Sequence, residues 1–148
     1  MDGALKPFIA GFDRLFLSGI PLAPSIRATG AFADLDDCDA LLVVVPVPYL
    51  RAVLAALPAG DAPLIFCSKG MEAGSFDFPI DIAREIFPGR GFAVLSGPTF
   101  AHEVAAGLPT AITLAAENPA LAEALARALA RPHFRPYVST DMIGAEIG

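Results

Sequence analysis

Three short stretches of the chain combine residue types that could do chemistry. "CSKG" brings Ser68, Lys69 and Gly70 to the end of an apolar run. "LSGPTF" brings Ser96, Gly97, Pro98 and Thr99 to the end of another. A third apolar run ends in Val45, Pro46 and Val47. A lysine supplies a mobile full charge suited to a phosphate. A glycine lets a ligand approach the backbone closely. A helix starting just after Thr99 would add unpaired backbone N–H groups and a partial positive charge, and Thr99 could cap that helix or donate. Together these residues would make a phosphate or pyrophosphate pocket. Ordinary strand-to-helix turns use the same residues, so the reading depends on the three stretches meeting in space.

Whether they meet depends on the elements that carry them. Residues 41–45 (LLVVV), 63–70 (PLIFCSKG), 92–95 (FAVL) and 110–116 (TAITLAA) are apolar runs of strand length. "FRPYVST" reads as a last strand, and Pro136 places it at an edge. A short strand at residues 25–28 and a short helix within "AFADLDDCDA" are also expected. Leu50, Val53, Leu54 and Leu57 fall at helical spacing, and Pro58 and Gly60 end that helix. Residues 81–87 read as a helix stopped by Pro88-Gly89. Phe100 and Val104 lie four apart, with Glu103 placed to favour the helix dipole. Asn118-Pro119 is an N-cap followed by proline at the first helical position. Behind it Leu121, Leu125 and Leu129 stack on one face, and Glu123 and Arg127 form an ion pair of about 0.2–0.5 kcal/mol. Strands and helices alternate from residue 41 to residue 139, which predicts an α/β fold with a mostly parallel sheet and helices on both faces. Ligands bind such sheets at the carboxyl ends of the strands, where all three stretches stand.

The bulk properties agree. A chain of 148 residues fits one domain, which buries about 68–70% of its unfolded surface. The composition is 55% hydrophobic and the mean hydropathy is +0.59, which suggests strands buried on both sides or a surface left for a partner. The net charge of −6 argues against nucleic acid but not against a phosphorylated small molecule met by a local cation. Cys38 and Cys67 are too few for a disulfide framework, and Cys67 reads as a small core residue. His102 and His133 stand far apart without cysteine partners, so no metal site is expected; His102 reads as a surface helix residue. Asp36, Asp37 and Asp39 read as a solvated turn. No basic n-region opens the chain, and the longest apolar run, residues 40–50, is too short to span a bilayer. A cytoplasmic protein without membrane insertion is expected.

"CSKGME", "VLSGPTFAHEVAAGLPTAIT" and "STDMIGAEIG", with "LFLSGIPLAPSIRAT" and "LLVVVPVPYLRAVL", resemble the bacterial-type NAD(P)-dependent glycerol-3-phosphate dehydrogenases from about Phe12 onward. The Ser-Gly-Pro-Thr-Phe-Ala-x-Glu stretch is the specific part; related dehydrogenases share the Lys-Gly and Val-Pro turns. The resemblance implies a Rossmann-like α/β domain that uses NAD or NADP. It implies hydride transfer to dihydroxyacetone phosphate, giving sn-glycerol 3-phosphate for glycerophospholipid synthesis. It implies that Lys69 lies where cofactor and substrate meet, that Gly97 and Thr99 contact substrate, and that Ala101, Val45 and Pro46 lie beside the dinucleotide. It is compatible with a homodimeric full-length enzyme.

The chain departs from that family in places. It has no G-x-G-x-x-G turn to hold a pyrophosphate. Val47 stands where the family often has a small hydroxyl residue, and Asp13 where it often has asparagine. The family's catalytic lysine would fall a few residues past Gly148, followed by a helical substrate domain. Residues 1–148 are therefore expected to form a partial NAD(P)-binding domain, truncated at both ends, with no catalytic residue and no activity alone. Two other readings stay open. One is a related 3-hydroxy acid or ketopantoate-type dehydrogenase, in which the Ser-Gly-Pro-Thr-Phe-Ala run is not expected. The other is a non-catalytic binding or assembly module.

Overall fold

A computed structural model describes Leu17, residues 19–21 and residues 23–147. Phe12, where the resemblance begins, and Asp13 lie outside the described residues. Five strands form one sheet in chain order: β1 (Leu41–Val43), β2 (Leu64–Phe66), β3 (Phe92–Ser96), β4 (Thr110–Ala115) and β5 (Phe134–Ser139). β1, β2 and β3 run parallel, with Leu41 opposite Leu64 and Leu64 opposite Phe92. β4 runs antiparallel to β3, and β5 parallel to β4. The expected mostly parallel sheet is present, with one reversal. β5, which carries Pro136, is the outermost strand on its side, as a proline within a strand requires. The expected strand at residues 25–28 does not form.

Five helices lie among the described residues: α1 (Val47–Ala56), α2 (Pro79–Ile86), α3 (Ala101–Ala105), α4 (Pro119–Leu129) and α5 (Met142–Ile147). A short 3-10 turn, Phe32–Leu35, stands where a helix was expected in the acidic stretch. α1 buries Leu50 and Leu54, one turn apart, and stops before Pro58. α2 has Pro79 in its first turn and buries Ile80, Ile82 and Ala83. Asn118 caps α4 as expected: its side-chain oxygen accepts from the Ala120 and Leu121 N–H groups at 3.0 and 3.4 Å. α5 is an element that the sequence pattern did not reveal.

Period-two alternation divides the core into two layers. Leu64, Phe66 and Val94 point to one face, where α1, α2 and α5 bring Leu54, Ile82 and Met142. Ile65, Ala93, Leu95 and Leu114 point to the other, where α4 brings Ala122 and Leu125. β2 is buried along its whole length, as the hydropathy predicts. β1 is not: Leu42 is 50% exposed, and Val44, just past its end, 69%, because α4 covers only the β3–β5 side of their face.

α5 is fastened by Glu146, which is 4% exposed. Its Oε1 accepts from the Ile80 N–H at 3.1 Å. Phe78 offers α2 no side-chain cap and Pro79 has no N–H, so this carboxyl caps the helix from 66 residues away. Burial pushes the carboxyl up to about 7, and Asp81 adds to the rise, while the Ile80 bond and Arg84 oppose it. The folded state therefore holds a proton between pH 4.5 and 7 that the unfolded chain has lost. Stability from this group is complete below pH 4.5 and falls as pH rises through 7, by up to about 3 kcal/mol. Glu146→Gln is expected to flatten that fall in urea-unfolding measurements at pH 5 and pH 8, since Gln still accepts from Ile80 without carrying a charge.

Candidate functional site

The site lies at the carboxyl ends of β1, β2 and β3. After β2 the Cys67 N–H donates to the Val43 carbonyl at 2.9 Å. The buried Ser68 hydroxyl reaches the carbonyls of Val45 and Val43. These bonds lock the end of β2 to the chain leaving β1. Lys69 follows at the exposed rim, and Gly70, at φ +104°, turns the chain away through the left-handed region that glycine favours.

β3 ends in the buried Ser96 and passes into Gly97. A Cβ at Gly97 would lie 3.1 Å from Ile112 Cγ1 and 3.3 Å from Ile112 Cα, so a larger residue here would push against β4. The Thr99 N–H donates to the Gly97 carbonyl at 2.8 Å, which closes the turn and spends that donor within the chain. Thr99 does not cap α3, because the N-cap is Phe100. α3 has five residues and buries none of them, so its dipole is that of little more than one turn. It ends in a Schellman motif: Gly107, at φ +74°, donates to the Val104 carbonyl, and Leu108 to that of Glu103. The positive character expected from a helix N-terminus is therefore small, and Lys69 carries the charge.

Lys69, Gly97, Thr99 and Ala101 line one open groove of about 570 Å³, a volume in the usual range for ligand sites. Leu42, Cys67, Leu95, Val104, Ile112 and Phe134 form its apolar walls. The motifs did not point to these wall residues; Leu42 and Leu95 could have been found from strand alternation, whereas Ile112 and Phe134 arrive through tertiary pairing. Among the described lining residues Lys69 is the one charged side chain, in a protein of net charge −6. Val45 is set apart: it packs on the opposite face with Leu41 and α1, and Pro46 is the exposed N-cap of that helix. His102 is exposed on α3, beside the Phe100 ring, as expected. Cys67 is half-buried: it packs against the core beside Ile65 as expected and also forms part of the groove wall, and burial pushes its thiol up to about 11. No group of three His, Cys, Asp or Glu among the described residues could hold a metal ion. No described helix is long and apolar enough to cross a membrane.

Apolar walls, hydroxyl-bearing turns and one cation fit the ring-and-substrate end of a dinucleotide site. The described residues contain no glycine-rich turn for a pyrophosphate.

A mostly parallel sheet with helices on both faces and a groove at its strand ends defines a Rossmann-like nucleotide-binding class of domain. Residues 12–122 match the family model described as NAD-dependent glycerol-3-phosphate dehydrogenase N-terminus. The chain belongs to that family. It is 76% identical over 136 residues to glycerol-3-phosphate dehydrogenase [NAD(P)+] 1 of Sphingopyxis alaskensis, covering 92% of this chain and 41% of that protein. It is 52% identical to the glycerol-3-phosphate dehydrogenase [NAD(P)+] of Caulobacter vibrioides, covering 92% of this chain and 42% of that one. Among solved structures, glycerol-3-phosphate dehydrogenase of Coxiella burnetii superposes with a TM-score of 0.83 at 30% identity, covering 92% of this chain and 43% of that one. The chain thus spans less than half the length of these relatives.

Two outcomes follow from the groove. Gly97→Ala is expected to cost about 1–3 kcal/mol in thermal or urea unfolding, without any ligand present, because Ile112 must move. In an Ile112→Ala background, which is itself less stable, the further cost of Gly97→Ala should be smaller. Cys67 is expected to react slowly with iodoacetamide at pH 8, where about 0.1% of a thiol titrating near 11 is thiolate. Its rate should still be rising at pH 10, as peptide mass mapping would show.

Proposed function

We propose that the chain forms the middle of the nucleotide-binding half of a cytoplasmic NAD(P)-dependent glycerol-3-phosphate dehydrogenase, which reduces dihydroxyacetone phosphate to sn-glycerol 3-phosphate. The observation that carries this reading is Lys69, the one charged side chain among the described residues of an apolar groove. An acidic protein repels a dianionic phosphate ester, so binding needs a local cation and a wall that excludes water. Lys69 meets the substrate, and Gly97 and Thr99 line its place beside β4. Ala101 lines the dinucleotide. Val45 and Pro46 hold the loop that borders it, fastened by Ser68.

The reduction adds hydride to the C2 carbonyl carbon and a proton to its oxygen. The apolar walls formed by Leu42, Leu95 and Ile112 would hold a reduced nicotinamide, which would supply the two electrons as hydride. Lys69 is set to neutralise negative charge on the substrate as the carbonyl becomes an alkoxide. The acid that delivers the proton, and the glycine-rich grip on the pyrophosphate, belong to parts of the enzyme that this reading places outside residues 1–148. The apolar surface of Leu42 and Val44 supports it, since a further layer of protein would cover them.

Alone, the 148-residue chain is expected to show no oxidation of NADH or NADPH with dihydroxyacetone phosphate; clear turnover would remove the partial-domain reading. Within the full reading frame that contains the chain, the same assay should give turnover, and Lys69→Ala should lower kcat/KM about 10²-fold or more. A preference for ketopantoate or a 3-oxo acid would overturn the substrate assignment.

A further inference from the structure

Arg51 lies on α1 and is not among the groove residues, and the sequence motifs assign it no role. Its guanidinium faces three carboxylates. Nε meets Glu72 Oε1 at 3.1 Å and Nη2 meets Glu72 Oε2 at 2.9 Å, a two-pronged contact. Nη1 meets Glu85 Oε2 of α2 at 2.7 Å, and Asp77 Oδ2 lies 3.7 Å from Nη2. The grip on Glu72 raises Arg51 above its usual range and holds the Glu72 carboxyl below its own, so the pair stays ionised.

Glu72 and Asp77 belong to residues 70–78, the loop from the end of β2 to α2. The loop closes on itself. The Glu72 N–H donates to the Asp77 carbonyl at 2.9 Å, and the Phe76 N–H to the Glu72 carbonyl at 3.0 Å. The Ser75 hydroxyl donates to Glu72 Oε2 at 2.8 Å. Phe76 sits at φ +64°, a conformation that a bulky side chain keeps only where its surroundings impose it. Glu72 is the node of these contacts, and Arg51 ties that node to α1.

Lys69 stands between two anchors. On one side Ser68 is bonded to the carbonyls of Val43 and Val45. On the other, three residues on, Glu72 is held by Arg51. Both anchors fasten to β1 and α1, so the backbone that carries Lys69 is fixed at two points to one rigid unit. We propose that Arg51 is a positioning residue for Lys69: its two-pronged grip on Glu72 sets loop 70–78, and thereby the direction in which Lys69 meets a phosphate in the groove. This rests on the proposed role of Lys69. Arg51 is 38% exposed, and exposed ion pairs add little to global stability. Its effect is therefore expected locally, at Lys69.

Lys6 and Lys69 are the two lysines of the chain, which makes the test direct. Reductive ¹³C-methylation gives each lysine a separate NMR signal, and Lys69→Arg identifies the Lys69 one. In the unaltered chain the Lys69 signal is expected to be shifted from that of a free lysine and to move on titration with sn-glycerol 3-phosphate. Arg51→Met should bring the ligand-free signal towards the free-lysine position and weaken the titration roughly tenfold. Arg51→Lys should not restore either, because an ammonium cannot make the two-pronged contact. Arg84→Met, which removes contacts with Asp81 and Glu117 rather than with the loop, should leave the Lys69 signal in place whatever its effect on Tm. An unchanged ligand-free Lys69 signal in Arg51→Met, or an equal loss in Arg84→Met, overturns the proposal. If the unaltered chain shows no titration, the phosphate-site reading fails, while the ligand-free signal still judges the positioning. Should Arg51→Met fail to fold, Glu72→Gln breaks the same grip from the loop side and is read in the same way.

Discussion

The antiparallel pairing of β3 with β4 is the constraint on which the groove depends. From β1 to β3 the chain steps across the sheet in one direction through parallel strands, and α1 and α2 pack on one face. Crossovers between parallel strands are right-handed almost without exception. When the strand direction reverses while the sideways step continues, the same handedness sends the next helix to the other face. α4, between β4 and β5, lies there. It covers the β3–β5 side of that face and leaves Leu42 of β1 and Val44, just past its end, uncovered. The groove is the space between that uncovered strand and α3.

The groove's chemistry follows from where its polar groups can stand. In β2 and β3 the backbone groups are paired and the side chains almost wholly buried, so charge there is confined to the ends. Lys69 occupies such an end, one residue past the buried Ser68. Among the described residues, its neighbours in the groove are apolar or hydroxyl-bearing. Several of the protein's carboxylates are engaged: Glu72, Asp77 and Glu85 surround Arg51, and Asp81 and Glu117 meet Arg84. A positive point in a low-dielectric wall attracts anions more strongly than the same lysine on an open acidic surface.

Two of the buried polar side chains, Ser68 and Glu146, serve the architecture in the same manner. Each joins segments that are distant in sequence, Ser68 to the carbonyls leaving β1 and Glu146 to the N-terminus of α2. Ser68 does so as a neutral donor at little cost. Glu146 does so as a buried acid and brings a pH dependence with it. The tertiary cap matters because α2 begins with Phe78 and Pro79, neither of which supplies a side-chain cap.

The sequence by itself determined which segments became strands and helices from β1 to β5. Hydrophobic period reports local geometry directly, and Asn118, Pro119 and Pro136 are read from backbone chemistry at their own positions. It also located Lys69, Gly97 and Thr99 at the ends of elements that could converge, and the family resemblance added Ala101. Only the tertiary structure decided that those four share a groove while Val45 packs on the opposite face. Strand direction and order were decided there too, because a period of two is the same whichever way a strand runs. The reason for Gly97 lay in Ile112, fifteen residues on, and was invisible until β4 was placed beside β3. α5 went unread because the few apolar residues of a six-residue helix fix no period, and its tether to α2 is a contact between distant parts of the chain.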